Sequence, residues 1–271
     1  MTTLIFGGGL LGRELIRHFN EVSLVTRDQC DIRQPEAVLR IVERLRDLTI
    51  INAAAYTNVD KSESEPREAF AVNALGARNV ADAARRAGAR LLHVSTNAVF
   101  DGLEGAFDET CAPQTASVYG YTKLVGEEYV RDAGGEYIVR VAFTYGKYGK
   151  NFGSTLFNRL RAGGVVPADP IRRVTPTWAQ YVAKAVQSML EKRVPPGIYH
   201  AVSTGAITWY EFARMACRPL NANVFRVEPT LTPKGAPRPD FSIMVSRKLQ
   251  MFDIDVPDTY CGMQAAIEDG V

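Results

Sequence analysis

The apolar positions of the chain fall into short blocks set off by glycines and by amphipathic stretches. Thr3-Leu4-Ile5-Phe6 reads as a buried strand. It runs straight into Gly7-Gly8-Gly9-Leu10-Leu11-Gly12, after which Arg13-Glu14-Leu15-Ile16-Arg17-His18-Phe19 has a helical pattern. Val22-Ser23-Leu24-Val25-Thr26 reads as a second strand, a helix begins near Pro35, and Leu48-Thr49-Ile50-Ile51-Asn52 reads as a third strand. A long helical stretch from about Pro66 to Ala87 leads to a fourth strand, Arg90-Leu91-Leu92-His93-Val94-Ser95. Later, Pro176 to Arg193 has the pattern of an amphipathic helix and Gly197 to Val202 that of a strand. Strands alternating with helices predict an α/β protein with a parallel sheet.

Composition narrows this further. With 271 residues, 46% of them hydrophobic, the chain can bury a large core as one domain, or as one domain carrying a smaller lobe. The formal net charge is +2 with both signs mixed along the chain, so neither nucleic acid nor an anionic membrane is an expected partner. The three His and four Cys (Cys30, Cys111, Cys217, Cys261) lack metal-ligand spacing, so no metal and no disulfide framework are expected. That usage fits a reducing, cytoplasmic setting. No basic region precedes the N-terminal apolar run, and neither a signal peptide nor a membrane span is expected.

The strand, glycines and helix at the N-terminus form a G-x-G-x-x-G fingerprint in Gly7, Gly9 and Gly12. The first glycine permits a tight turn, the second lets backbone approach a pyrophosphate, and the third lets helix pack on strand. The phosphate then sits at the helix N-terminus, beside Leu10 and Leu11. Such a loop also occurs as a plain structural turn; its place directly after a strand is what favours a dinucleotide. Arg27 ends the second strand where an acid usually takes the ribose hydroxyls of NAD, and Arg there suits a 2′-phosphate. NADPH is therefore the expected cofactor, with the adjacent Asp28 keeping NADH as the alternative. Asp31 and Ile32 are placed to border the adenine, although Asp31 also reads as a helix-entry residue. Ala53, Ala54, Ala55 and Tyr56 follow the third strand, where small residues let a ligand approach the backbone. Asn73, in the next helix, reads as structural support.

Candidate chemistry lies between Ser95 and Lys123. The fourth strand delivers Ser95 and Thr96 to the carboxyl edge of the sheet, where the Thr96 hydroxyl can orient a carbonyl; capping of backbone is the competing reading. Tyr119 and Lys123 are four apart, which on a helix puts both on one face. An ammonium at about 4 Å interacts by about 4 kcal/mol at an effective dielectric of about 20, enough to lower the phenol by up to roughly three pK units. Tyr119 can then protonate a carbonyl oxygen as hydride arrives at its carbon. His93, inside its strand, reads as a packed core histidine.

With these pieces in register the chain resembles the extended short-chain dehydrogenases/reductases of the dTDP-4-dehydrorhamnose reductase type. The resemblance covers nearly the whole length. It rests on Ala54-Ala55-Tyr56-Thr57-Asn58-Val59-Asp60, Ser95-Thr96-Asn97-Ala98-Val99-Phe100-Asp101-Gly102, and Tyr119-Gly120-Tyr121-Thr122-Lys123. Arg140-Val141-Ala142-Phe143-Thr144-Tyr145-Gly146, Lys150-Asn151-Phe152 and Arg238-Pro239-Asp240-Phe241-Ser242 add to it. It implies a Rossmann doubly wound parallel sheet (residues 1–146 with 174–204) and a smaller C-terminal substrate-binding lobe (147–173 with 205–271). It implies NAD(P)H-dependent reduction of the 4-keto group of a nucleotide-linked deoxysugar, with Thr96, Tyr119 and Lys123 as the catalytic set. Val59, Thr96, Asn97, Ala98, Phe143 and Asn151 then face the substrate. Asn97 and Ala98 depart from the usual Asp-Tyr, and Phe143 from a usual Trp, so the hexose is the open point. The glycine loop is one residue shorter than usual.

A nucleoside diphosphate needs cations, and Arg172 or Arg173 and Arg238 are the candidates, each with a solvated surface arginine as its plain alternative. A homodimer is compatible with the resemblance, although no interface is legible. Two rivals stand beside the reductase. An epimerase or dehydratase would use the same scaffold, but the acid pair that dehydratases place after the threonine is absent at Asn97-Ala98. A non-catalytic regulatory subunit resembling that of methionine adenosyltransferase would keep the nucleotide fold and act through a partner.

Overall fold

The computed structural model describes residues 2–103, 105–231, 235–238 and 241–271; Pro239 and Asp240 of the Arg238–Ser242 motif lie outside them. Every residue of Leu48–Asn52 is buried, the pattern of a strand covered on both faces. It is the third strand, β3, of a six-stranded sheet with β1 (Thr2–Phe6), β2 (Val22–Val25), β4 (Arg90–Thr96), β5 (Tyr137–Val141) and β6 (Gly197–His200). The spatial order is β2-β1-β3-β4-β5-β6, and each neighbouring pair is parallel. The order reverses between β1 and β3, so a crevice opens beyond their carboxyl ends.

Side-chain alternation assigns the two faces. Leu4, Phe6, Ile50, Leu91 and Ile138 point to the layer that holds Val38 and Val42 of the Pro35–Val42 helix and Val80, Ala81 and Ala84 of the Ala77–Ala87 helix. Ile5, Ile51, Leu92, Tyr137 and Val139 point to the other, against Val182, Val186, Met189 and Leu190 of the Ala179–Lys192 helix. Leu249, Ile254 and Val256, from near the end of the chain, complete this second layer. A third cluster, built on Tyr145, Phe157, Phe212 and Met263, is the core around which the Phe152–Arg161, Trp209–Cys217 and Thr259–Glu268 helices gather.

Two polar devices fasten distant segments to the sheet. Buried Glu109 accepts from the His200 N–H at 3.2 Å and from the Arg247 and Lys248 N–H groups at 3.1 and 3.2 Å, tying the late chain to the outer strand β6. Glu127 and Arg140 form a buried pair at 2.7 and 2.9 Å that joins the Val118–Asp132 helix to β5. Among the described residues no helix is long and apolar enough to cross a membrane.

Candidate active site

A cleft of about 1150 Å³ runs along the carboxyl edge of the sheet, from the glycine loop to the Val118–Asp132 helix. Gly7, Gly8, Gly9, Leu10 and Leu11 form one wall. Gly7 has φ +111°, and a Cβ on it would come within 2.6 Å of backbone atoms of Ala53 and Ala54. Glycine is required there by conformation and by space. A Cβ on Gly12 would lie 1.8 Å from the Gly7 carbonyl oxygen, so Gly12 lets the Leu10–Leu15 helix close against the loop and does not itself line the cleft. Gly9 has open space around it and caps that helix without a side-chain hydrogen bond. A turn, an open approach and a bare helix end in this order fit the pyrophosphate of a dinucleotide. Arg13, which the sequence offered only as part of a helical pattern, also lines the cleft and donates to the Gly8 carbonyl at 2.9 Å.

At the far end of that wall stand Arg27, Asp31 and Ile32. Arg27 is well exposed, 3.8 Å from Asp31 and 3.8 Å from Glu68. Both acids are held by Arg33, which grips Asp31 with Nε and Nη2 and reaches Glu68 with Nη1 at 2.7 Å. The Arg33 hydrogen bonds hold the Asp31 carboxyl below its ordinary value. Ala53, Ala54, Ala55 and Tyr56 line the floor. Asn73 braces this turn: its side chain accepts from the Tyr56 N–H at 2.8 Å and donates to the Tyr56 carbonyl at 3.1 Å and the Thr122 hydroxyl at 3.0 Å. It occupies a π-helical stretch, Ala71–Gly76, whose carbonyl at Asn73 would sit 2.3 Å from a Cβ on Gly126.

The polar side chains of this helix and of β4 form two matching stripes. Tyr119, Lys123 and Glu127 recur every four residues along the helix, and His93 and Ser95 alternate along β4 beneath it. Ser95 donates to Glu127 at 2.5 Å, while Lys123 Nζ lies 3.2 Å from His93 Nε2 and donates to the Val94 carbonyl at 2.7 Å. Lys123 is 2% exposed, and burial, partly offset by Glu127, brings it down to about 8. Burial, with Lys123 adding to it, keeps the His93 ring far below its ordinary value and therefore neutral.

Tyr119 differs from expectation. Its phenol is pushed up by burial, and the adjacent Thr96 hydroxyl only partly counteracts that. Lys123 does not bring it down, because its ammonium is itself disfavoured in the same desolvated place and is engaged with His93 and Val94. The side chain is therefore a neutral phenol, the form a proton donor needs. Thr96 is held at the end of β4, its oxygen accepting from the Ala98 N–H at 3.2 Å and its hydroxyl 3.3 Å from Asn97 Oδ1. Ser117 starts the helix by accepting from the Gly120 N–H at 3.1 Å. Gly120 leaves room for the Ala98 carbonyl, which a Cβ would meet at 2.0 Å.

On the substrate side the expected residues divide. Thr96, Asn97, Phe143 and Asn151 line the cleft; Val59, Ala98, Arg172, Arg173 and Arg238 do not. Asn151 spends its amide on backbone, capping the Phe152–Arg161 helix and donating to the Gly146 carbonyl at 2.7 Å. Phe143, with φ +41°, packs edge-on against Trp209, which also meets Phe152 at 4.0 Å. Arg238 is bound in bidentate fashion to Asp60 at 2.8 Å for both contacts, and holds the Asp60 carboxyl down to about 2. Arg172 lies 3.9 Å from Asp169, and Arg173 reaches the Ala206 carbonyl at 3.4 Å beside a separate surface hollow. Tyr148, which no motif singled out, and Lys150, which the sequence offered only within the Lys150-Asn151-Phe152 motif, line the cleft near Asn151.

The chain as a whole is similar to known proteins. The model of the RmlD substrate binding domain family matches residues 1–269. The dTDP-4-dehydrorhamnose reductase of Escherichia coli K12 is 32% identical, covering 99% of this chain and 98% of its own. The dTDP-4-keto-6-deoxy-D-glucose reductase of Streptomyces niveus is 34% identical over 87% of this chain and 85% of its own. The crystal structure of dTDP-4-dehydrorhamnose reductase from Bacillus anthracis in complex with NADP superposes with a TM-score of 0.94 at 30% identity, covering 99% of this chain and all of that one. The family model and relatives at 30% identity or more extend over nearly the full length, and the chain belongs to the RmlD family.

Proposed function

We propose that this chain is an NADPH-dependent oxidoreductase that reduces the 4-keto group of a nucleotide-linked 6-deoxyhexulose, in the manner of dTDP-4-dehydrorhamnose reductase. The observation that carries the reading is the meeting of Thr96, Tyr119 and Lys123 in one cleft with the glycine loop. Gly7, Gly9, Leu10 and Leu11 would hold the pyrophosphate, Arg27 the 2′-phosphate, and Tyr119 and Lys123 the end at which reaction occurs. NADPH, when bound, supplies the hydride that reaches the carbonyl carbon. Thr96 orients the carbonyl oxygen, and Tyr119, kept as a phenol by burial, gives it the proton that completes the alcohol. Lys123, four residues on along the same helix face, would hold the nicotinamide ribose. Asn97 and Ala98 offer no acid–base pair of the kind dehydration needs, which favours simple reduction.

Around this core, the division into a nucleotide domain (1–146 with 174–204) and a substrate lobe (147–173 with 205–271) is supported by a separate core cluster whose residues come mostly from the lobe, joined by Tyr145 and Trp178 of the nucleotide domain. Four free cysteines support a reducing, cytoplasmic setting. A homodimer rests on family resemblance alone. The test is reduction of enzymatically made dTDP-4-keto-6-deoxyhexoses, followed by loss of NADPH absorbance. Turnover supports the reading; NADPH binding without reduction of any such sugar would favour the regulatory alternative.

A further inference from the structure

Beneath the catalytic pair, four polar groups are wired in series. The Ala54 N–H donates to Asn52 Oδ1 at 3.2 Å, which turns the Asn52 amide so that Nδ2 faces His93 Nδ1 at 3.2 Å. Across the ring, His93 Nε2 lies 3.2 Å from Lys123 Nζ. Asn52 and His93 are 1% exposed and Lys123 2%, so the series lies inside the protein. An amide nitrogen only donates, so Nδ1 accepts and the neutral ring carries its proton on Nε2, aimed at the lysine amine. An ammonium has three donors and no acceptor. Protonated Lys123 therefore calls for the other ring tautomer and a turned-over Asn52 amide, whose NH2 would face the Ala54 N–H.

We propose that Asn52 and His93 are positioning residues that fix the orientation of the Lys123 amine and set how readily it carries a proton. The inference rests on the reading of Lys123 as the partner of Tyr119. The titratable and charged groups around the series are Lys123, Tyr119 and Glu127 from the helix and Arg140 from β5, the last two bound to each other. Burial already disfavours the Lys123 ammonium, and the series works in the same direction.

Asn52→Asp tests this with almost no change of shape. A carboxylate accepts from both the Ala54 N–H and His93 Nδ1–H, so Nε2 becomes the acceptor and the ammonium is favoured. The readout is the titration of the Lys123 Cε resonance in the full chain carrying 13C-labelled lysine, assigned with Lys123→Met. Asn52→Asp is expected to raise the midpoint by about one pH unit or more, and His93→Phe in that background to remove most of the rise. His93→Leu serves if the larger ring is not accommodated. A midpoint that stays put in Asn52→Asp, or one that rises equally with and without His93, overturns the proposal. The readout needs no substrate, so failure of the wild type to reduce any keto-sugar would count against the proposed function alone.

Discussion

Lys123 carries a stability penalty for its position. Burial brings it down to about 8, whereas in the unfolded chain a lysine titrates near about 10.4. Between those values the unfolded state binds more protons, so this group makes stability rise with pH through that window. Below it the penalty is fully present, on the order of 3 kcal/mol. Lys123→Met is expected to be more stable than wild type near pH 7 by about 1–3 kcal/mol, an advantage that shrinks towards pH 10. Urea denaturation at the two pH values checks this; a variant less stable at both would contradict it. Arg33 gives a second test at this scale. It balances Asp31 and Glu68, which on the proposed reading leaves the charge of Arg27 for a phosphate. Arg33→Met is expected to weaken 2′,5′-ADP about tenfold while leaving 5′-AMP nearly unchanged, by calorimetry at low salt. Equal losses for both nucleotides would show that Arg33 only shapes the wall. The place of Arg27 on the cleft wall was legible because it closely follows a strand. Arg33 was not, because its second partner, Glu68, is 35 residues away.

The Val118–Asp132 helix owes its place to two glycines. Gly120 admits the Ala98 carbonyl and Gly126 the Asn73 carbonyl, both closer than any Cβ would permit. Overpacking of this kind costs about 1–3 kcal/mol. Gly126→Ala is expected to lower stability by that amount with kcat per folded molecule little changed, and Gly120→Ala, beside Tyr119, to lower kcat at least tenfold. The two effects are separated by denaturation and by turnover at saturating substrate; the reverse ranking would contradict this assignment of the two contacts. The buried pair behaves differently. Arg140→Leu leaves Glu127 in the core without its cation and is expected to destabilise by about 3–5 kcal/mol, again read by denaturation. The Tyr119–Lys123 spacing was legible because helical period is local. β5 was hidden by Arg140, a charge in the middle of a buried strand that only its partner on another element explains.

At the scale of the molecule, alternating strands and helices made the parallel sheet legible, and the glycine loop marked its ligand-binding edge. The contacts that fasten the late chain were not legible. Asp60 meets Arg238 across 178 residues, and Glu109 reaches Lys248 across 139; neither pairing leaves a local pattern. Arg238 reads in sequence as a phosphate ligand and in the fold as an anchor for the late chain. The central claim is that Tyr119 supplies the proton in reduction of a 4-keto sugar. It is tested most directly by NADPH oxidation with dTDP-4-keto-6-deoxyhexoses, comparing wild type with Tyr119→Phe. The account predicts turnover by the wild type and a loss of about 10²–10⁴-fold in kcat for the variant, with NADPH affinity retained. A Tyr119→Phe variant that turns over at the wild-type rate would contradict it.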